Sequence, residues 1–320
     1  LIPVAVDQIA PGLSGQTSQL TSELAFFMIA IGAMLLAMAV FRTPLIALMP
    51  DITASPLRSK ANGVINLMGG VGALLATFGG AALYSVGKVI PFVFGAVVML
   101  VANLVVFLTI KEPRAYMENT KDEERWWDTL RAVGAIPREN LRSLILLLIA
   151  IFAWFVGYNS IETFFTSYGT FHLGVAESTA SLMLGFFSLT FIIFSIPGGM
   201  LAETWGRRRT ILVGLTGLTV LLVLAGLFGN IYVIGAILFL GGITWALINI
   251  NSLPMVVDIA PTDLQAGTYT GLYYISGTLA AIVGPILNGW IIDAAGSDYN
   301  MIFWVAPAFL ALAIACMLFV

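Results

Sequence analysis

Charged residues are scarce in this chain. Lys, Arg, Asp and Glu make up 10% of its 320 residues, whereas soluble domains carry about 25%. The single cysteine excludes a disulfide framework. The single histidine argues against a Cys/His metal site and against a Ser/His/Asp catalytic site. No phosphate-binding loop ending in Gly-Lys-Ser/Thr occurs either. These shortages point away from an enzyme, from ATP-driven chemistry and from a bound cofactor.

Apolar residues are abundant instead, and they occur in long runs. They form 59% of the chain, and a helix needs about 20 of them in succession to cross a bilayer. The sequence therefore predicts an all-α, multi-pass protein of the cell membrane, with Phe228-Gly229-Asn230 as a tight turn between two spans. The runs that qualify as spans are roughly 24–48, 61–85, 89–110, 144–169, 178–202, 210–228, 231–256, 266–292 and 300–320.

The basic residues indicate how the spans are oriented. Most of the 14 Lys and Arg residues lie at one end of the spans, in three groups: Arg58 with Lys60, residues 111–142, and residues 207–209. Because cytoplasmic loops are enriched in Lys and Arg, the segment 111–143 is predicted to be a cytoplasmic connector. It would join a partial N-terminal bundle of three spans, residues 1–110, to a C-terminal six-helix bundle, residues 144–320. The polar start, without Met, leads us to expect further spans upstream of Leu1.

Two segments on either side of this connector resemble each other. They read FRTPLIALMPDITASPLRSKANG at 41–63 and INSLPMVVDIAPTDLQAG at 250–267. Each ends a span, places Asp-Ile at its basic end, continues to a proline and re-enters the membrane. Aligning Asp51 with Asp258 puts Arg42 opposite Asn249. Parallel internal repeats of this kind relate the two halves of major facilitator transporters.

A short motif strengthens that comparison. Residues 199–209 read GMLAETWGRRR, which resembles the loop signature between helices eight and nine of the major facilitator superfamily, with Glu203 where Asp is usual. The nine spans would then be helices four to twelve of a partial major facilitator fold. Two segments, ALMPDITASPLRSKANGVINLMGGVG and WALININSLPMVVD, resemble more closely the bacterial members of the proton-linked sugar transporter branch. This branch is related to the sucrose transporters and to the glycoside–pentoside–hexuronide symporters.

The resemblance implies a secondary transporter that moves a sugar with protons by alternating access. Two alternatives stay open: a facilitator or exporter of another small solute, and a truncated membrane protein that senses or scaffolds without transporting. The expected partners are a small-molecule substrate, protons and the lipid bilayer, not nucleic acid. The transporter is expected to be monomeric, without a cofactor or a metal, and not an enzyme.

One polar stripe in the fourth run has the chemistry that proton coupling needs. Glu162 shares a helical face with Tyr158 and Asn159, and ionisable residues within spans generally face a bundle interior or a water-filled cavity. Burial favours the protonated acid, so Glu162 could accept a proton from one side and release it to the other. The alternative is a glutamic acid that is permanently hydrogen-bonded and ties helices together.

A second group of polar and aromatic residues is predicted to bind substrate. Sugars need hydrogen-bonding groups for their hydroxyls and aromatic faces for their C–H surfaces. The alternative for each residue is an interhelical hydrogen bond. In sucrose transporters an arginine precedes the equivalent of Asp51 by five residues, where this chain has Ile46, so Arg42 departs from that pattern. The candidate substrate-binding residues are Arg42, Asn66, Trp245, Asn249, Asn251, Tyr273 and Tyr274.

Charged residues at the basic ends of the spans are predicted to form a cytoplasmic gate. They would make ion pairs that close the inner face and break when it opens. The alternative is ordinary positive-inside charge with solvated partners. The candidate gate residues are Asp51, Arg58, Glu203, Arg207 and Asp258.

Overall fold

The structure is a computed structural model. It describes residues 57–86, 90–110, 138–260 and 266–320, together with the isolated positions 33, 37, 40, 45, 48, 49, 52 and 53. The chain divides into two compact units, residues 1–46 and 47–320. In the first unit the four described positions are helical. Most of the predicted first span and most of the predicted connector lie outside the described residues, and all contacts given below belong to the second unit.

The described residues of the second unit form helices and no strand. Six helices are long and apolar enough to cross a membrane, and they correspond to the last six predicted spans. The prediction of an all-α membrane protein is therefore confirmed. The helices are α1 (Arg58–Val86), α2 (Ile90–Thr109), α3 (Arg138–Phe171), α4 (Glu177–Trp205), α5 (Arg207–Leu227), α6 (Ile231–Val257), α7 (Ala266–Ala294) and α8 (Ile302–Met317), with a 3₁₀ turn at Tyr299–Met301 before α8.

The helix ends follow from local chemistry. The predicted turn at residues 228–230 is confirmed: the side chain of Asn230 caps α6 by accepting from the backbone N–H of Tyr232 at 2.9 Å. Gly206 alone separates α4 from α5, and its φ of 83° is a conformation that glycine adopts without strain. Helix α3 begins at Arg138, inside the predicted connector, because an α-helix can continue past the apolar segment that the sequence criterion detects.

Close backbone approach holds the helices together. A Cβ atom on Gly63 of α1 would lie 2.7 Å from the carbonyl oxygen of Ser195 in α4, and one on Gly199 of α4 would lie 2.8 Å from that of Ser59 in α1. Such contacts between small residues are typical of membrane helices. Large apolar side chains such as Phe107 and Trp290 stay exposed, at 83% and 69%, as a lipid-facing surface requires.

Two buried side-chain hydrogen bonds join α3 to α7. Ser160 donates to Asn288 at 2.5 Å, and Ser276 donates to the carbonyl oxygen of Leu148 at 2.6 Å. The Asn288 amide also donates to the carbonyl of Gly284 in its own helix, at 2.7 Å. These bonds set the register between the two helices, and hence the direction in which the segment containing Tyr158 and Glu162 faces.

Candidate functional site

A cavity lies between α3, α4, α5, α6 and α8. It contains about 640 Å³ of empty space, part of it open to the surroundings. Its polar lining consists of Tyr158 and Glu162 from α3 and Ser188 from α4. The other lining residues are apolar or glycine: Gly157, Ile161, Leu184, Phe187, Leu218, Leu222, Ile237, Leu238, Gly241 and Leu310.

Glu162 is the acidic group of this cavity. It is exposed, and it lies one helical turn from Tyr158, which lines the same cavity. Among the described ion pairs, none involves Glu162. Asn159, predicted to act with them, donates instead to the backbone carbonyl of Phe155 at 2.7 Å. The predicted proton-coupling group therefore divides into two residues that line the cavity and one that binds its own helix.

An aromatic cluster connects this acid to the predicted substrate-binding residues. The rings of Tyr158 and Trp245 are stacked, with centroids 4.4 Å apart and planes 9° apart. Phe155 packs edge-on against Trp245 at 5.7 Å and against Tyr273 at 6.2 Å, and Tyr273 packs edge-on against Tyr274 at 5.1 Å. The cluster thus brings the predicted proton-coupling residue Tyr158 into contact with predicted substrate-binding residues. Phe155, which the sequence did not predict, belongs to the same cluster.

Two of the predicted substrate-binding residues make internal hydrogen bonds. The Asn251 side chain is buried and donates to the carbonyl oxygens of Gly198 at 3.1 Å and Leu247 at 2.9 Å. The hydroxyls of Tyr273 and Ser252 are 3.0 Å apart. For Asn251 the bond to Gly198 links α6 to α4, so the contacts favour the interhelical role that the sequence left open.

The remaining predicted substrate-binding amides lie on α1 and α6. Asn66 donates to the backbone carbonyl of Asn62 at 2.8 Å, and Asn62 in turn donates to the carbonyl of Ile250 in α6 at 2.7 Å. Asn249 is half-buried. Its described hydrogen bond uses the backbone carbonyl, which accepts from Ser252 at 2.8 Å. Arg42 lies outside the described residues.

The basic end of the bundle holds a charged cluster around Asp258, at the end of α6. Its carboxylate pairs with Arg58 at 3.4 Å and with Arg207. Arg207 also donates to the Ser59 hydroxyl at 2.8 Å and to the carbonyl of Pro254 at 3.3 Å. Three of the predicted gate residues are therefore in contact and link α1, α5 and α6.

The other two predicted gate residues differ from this cluster. Glu203 pairs with Lys60, at 3.6 Å between Oε2 and Nζ, and this pair is more exposed than the contact between Arg58 and Asp258. Asp51 lies outside the described residues.

The chain matches the sequence profile of a known family over most of its length. The sequence profile described as "Major Facilitator Superfamily" matches residues 9–176 and 170–320, which is nearly the whole chain. The chain belongs to the Major Facilitator Superfamily. This superfamily consists of transporters and not of enzymes, so the prediction that the chain is not an enzyme is confirmed.

Individual superfamily members resemble the chain at low identity. It is 27% identical over 232 residues to YfkF, an uncharacterized MFS-type transporter of Bacillus subtilis, covering 70% of this chain and 56% of that protein. It is 25% identical over 275 residues to the class H tetracycline resistance protein of Pasteurella multocida, covering 82% of this chain and 65% of that protein. The chain thus spans less than two thirds of the length of these curated relatives.

A solved structure supports the same fold. The crystal structure of the E. coli fucose:proton symporter FucP superposes with a TM-score of 0.70 at 13% identity, covering 87% of this chain and 72% of that one. At this identity the likeness concerns the fold alone. The expected major facilitator fold is confirmed.

Sequence reasoning missed several residues that the superfamily fold brings to these sites. Ser188 lines the cavity, Phe155 joins the aromatic cluster, and Ser59 and Lys60 hold Arg207 and Glu203. Lys60 and Ser59 carry a sequence signal, because they lie beside Arg58 at the start of a span. Phe155 and Ser188 carry none, since phenylalanine and serine are common in membrane helices.

Proposed function

We propose that this chain forms part of a secondary active transporter that couples the movement of a small solute to protons by alternating access. Glu162 is the residue that takes up and releases the proton. One observation carries this proposal: a carboxylate on a membrane-spanning helix lines a cavity, beside Tyr158, with no basic partner among the described residues. An intramembrane acid with these surroundings can be protonated and deprotonated as access alternates.

The proposal is tested in liposomes that contain the purified full chain and a trapped pH indicator. An imposed proton gradient is expected to drive labelled solute across the membrane, with proton movement in step. Glu162→Gln is expected to lose gradient-driven movement and to retain exchange of solute without a gradient. Asp293→Asn serves as the control, because Asp293 is an exposed carboxylate outside the cavity lining. Full gradient-driven transport by Glu162→Gln would contradict the role of Glu162.

A sugar is the first candidate for the transported solute. The resemblance of the sequence to proton-linked sugar transporters supports it, as do the aromatic rings of the cluster, which include the half-buried Tyr274. The half-buried Asn249 follows Trp245 by one helical turn in α6. In the same liposomes, a competition panel of mono- and disaccharides against a labelled sugar tests this class.

Outward movement of an apolar solute is the second candidate. The mostly apolar lining of the cavity favours it, and a relative over 82% of the chain is named for tetracycline resistance. Competition by apolar compounds, with no competition by sugars, would favour this candidate over the first.

The charged cluster at the basic end is proposed to act as the cytoplasmic gate. Arg58, Arg207 and Asp258 join α1, α5 and α6, so α1 cannot separate from the other two at this end without breaking an ion pair. Glu203 and Lys60 add a weaker link between α4 and α1.

A further inference from the structure

A proline interrupts the backbone hydrogen bonds of α6 near the basic end of the bundle. Pro254 lies inside this helix. In a regular α-helix the carbonyl oxygen of Ile250 accepts from the backbone N–H of residue 254, and proline has no N–H. Ile250 is fully buried, so solvent does not supply a replacement donor. Because a buried carbonyl without a donor is destabilising, α6 needs a partner from outside its own backbone.

A side chain of α1 satisfies this carbonyl. The carboxamide of the buried Asn62 donates to the Ile250 oxygen at 2.7 Å. Asn66, one turn further along α1, donates to the carboxamide oxygen of Asn62 at 3.1 Å. Because that bond engages the oxygen of Asn62, the nitrogen is directed toward α6. Neighbouring helices satisfy the groups that a proline frees in a membrane helix, and here α1 has that role.

Helix α1 contacts α6 on both sides of the proline. Besides the bond from Asn62 to Ile250, Arg58 of α1 pairs with Asp258 at 3.4 Å. Arg58 and Asn62 are about one helical turn apart, whereas Ile250 and Asp258 are about two turns apart, with Pro254 midway between them. A single turn of α1 therefore holds in one geometry the two parts of α6 that meet at the proline.

The part of α6 before the proline carries residues of the candidate site. Trp245, which stacks on Tyr158 at 4.4 Å, lies in this part, and so does Asn249. Helices bend at proline, so a change of angle at Pro254 would redirect this part relative to the end of α6. The placement of the Trp245 ring therefore depends on what fixes α6 at the proline.

We propose that Asn62 is a positioning residue, which replaces the donor that Pro254 removes and thereby makes the geometry of α6 depend on contact with α1. The consequence for transport rests on the proposed alternating access. When α1 moves away from α6, the Ile250 carbonyl loses its donor, and α6 bends more easily at the proline. Opening at the basic end is thereby transmitted along α6 to the aromatic cluster.

Hydrogen–deuterium exchange of the purified full chain in detergent tests this link, with mass spectrometry of peptides from residues 247–258. Asn62→Leu removes the donor at similar volume. It should accelerate exchange in this segment about fivefold or more, because the buried carbonyl then lacks a partner. Pro254→Ala supplies a backbone N–H for Ile250. In the Pro254→Ala background, Asn62→Leu should therefore accelerate exchange about twofold at most.

A control and a second variant separate this effect from a general loss of packing. Asn103, an exposed residue of α2, donates to the carbonyl of Met99 in its own helix at 2.9 Å. Asn103→Leu should therefore leave exchange in α6 unchanged. Asn62→Ala repeats the test without the apolar side chain of leucine. Size-exclusion profiles and thermal unfolding establish that each variant is folded.

Two results in folded protein would overturn the inference. One is unchanged exchange in α6 when Asn62 is replaced, and the other is equal acceleration with proline and with alanine at position 254, which would assign Asn62 to packing alone. The proposed function is judged separately, by gradient-driven solute movement in liposomes. If that movement is absent while exchange responds as expected, the link between α1 and α6 stands and the transport proposal is wrong.

Discussion

At the scale of single residues, two acids at the same end of the bundle, Asp258 and Glu203, have different basic partners. Asp258 contacts two arginines, and the Arg58 side chain is only 6% exposed. Glu203 contacts Lys60, whose side chain is 43% exposed. Exposed ion pairs contribute about 0–1 kcal/mol, whereas hydrogen bonds to charged, partly buried groups contribute about 1.5–3 kcal/mol. The sequence predicted both acids as gate residues.

The difference in burial between the two ion pairs predicts that substitution of the two acids affects stability unequally. Asp258→Asn should lower the free energy of unfolding in detergent by about 1.5–3 kcal/mol, and Glu203→Gln by about 1 kcal/mol or less. If the cluster is the gate, Asp258→Asn also changes the transport rate in liposomes, while Glu203→Gln changes it less. Equal effects of the two substitutions on unfolding would contradict the difference in burial on which the prediction rests.

At the scale of helices, glycines that look alike in the sequence have different surroundings. A Cβ atom on Gly214 of α5 would lie 2.7 Å from the carbonyl oxygen of Thr244 and 2.8 Å from the side chain of Ile248, both in α6. Gly185 of α4 has nothing within 4 Å of such an atom. Both lie in predicted spans, and only the packing of α5 on α6 distinguishes them.

Substitution by alanine tests this difference. Gly214→Ala should destabilise the protein by about 1–3 kcal/mol, because α5 must move away from α6 to make room. Gly185→Ala should be neutral or stabilising by up to about 1 kcal/mol, since alanine favours helix more than glycine does. Thermal unfolding in one detergent measures both. A similar loss of stability in the two variants would show that helix packing at Gly214 is not the cause.

At the scale of the whole molecule, the distribution of basic residues predicts which side of the membrane each loop occupies. Gly229, between α5 and α6, lies at the opposite helix ends from Arg58, Arg207 and Asp258. The segment 111–137, which lies outside the described residues, contains many of the basic residues. The excess of positive charge predicts that this segment lies in the cytoplasm and that Gly229 lies outside the cell.

Cysteine labelling in intact cells tests the orientation. With the single cysteine removed by Cys316→Ser, a membrane-impermeant maleimide should label Gly229→Cys directly. It should label Thr120→Cys only after the membrane is permeabilised. Gly229 is exposed and has no neighbouring atom within 4 Å of an added Cβ, so this substitution should leave the fold unchanged. The reverse labelling pattern would show that the orientation is wrong.

The sequence by itself determined the fold class, the last six spans and the turn at residues 228–230. These features are local, because a bilayer requires each span to satisfy its own backbone hydrogen bonds within an apolar run of sufficient length. Intramembrane polarity also made Glu162 recognisable, since charged residues are rare within spans.

Only the tertiary structure decided which side chains meet. The stacking of Tyr158 on Trp245, the pairing of Asp258 with two arginines and the bond of Asn251 to Gly198 all join different helices. Such contacts depend on the rotation and depth of each helix relative to its neighbours. Packing of small residues and buried hydrogen bonds such as that of Ser160 with Asn288 set that geometry, and neither is encoded in the apolar pattern of a single span.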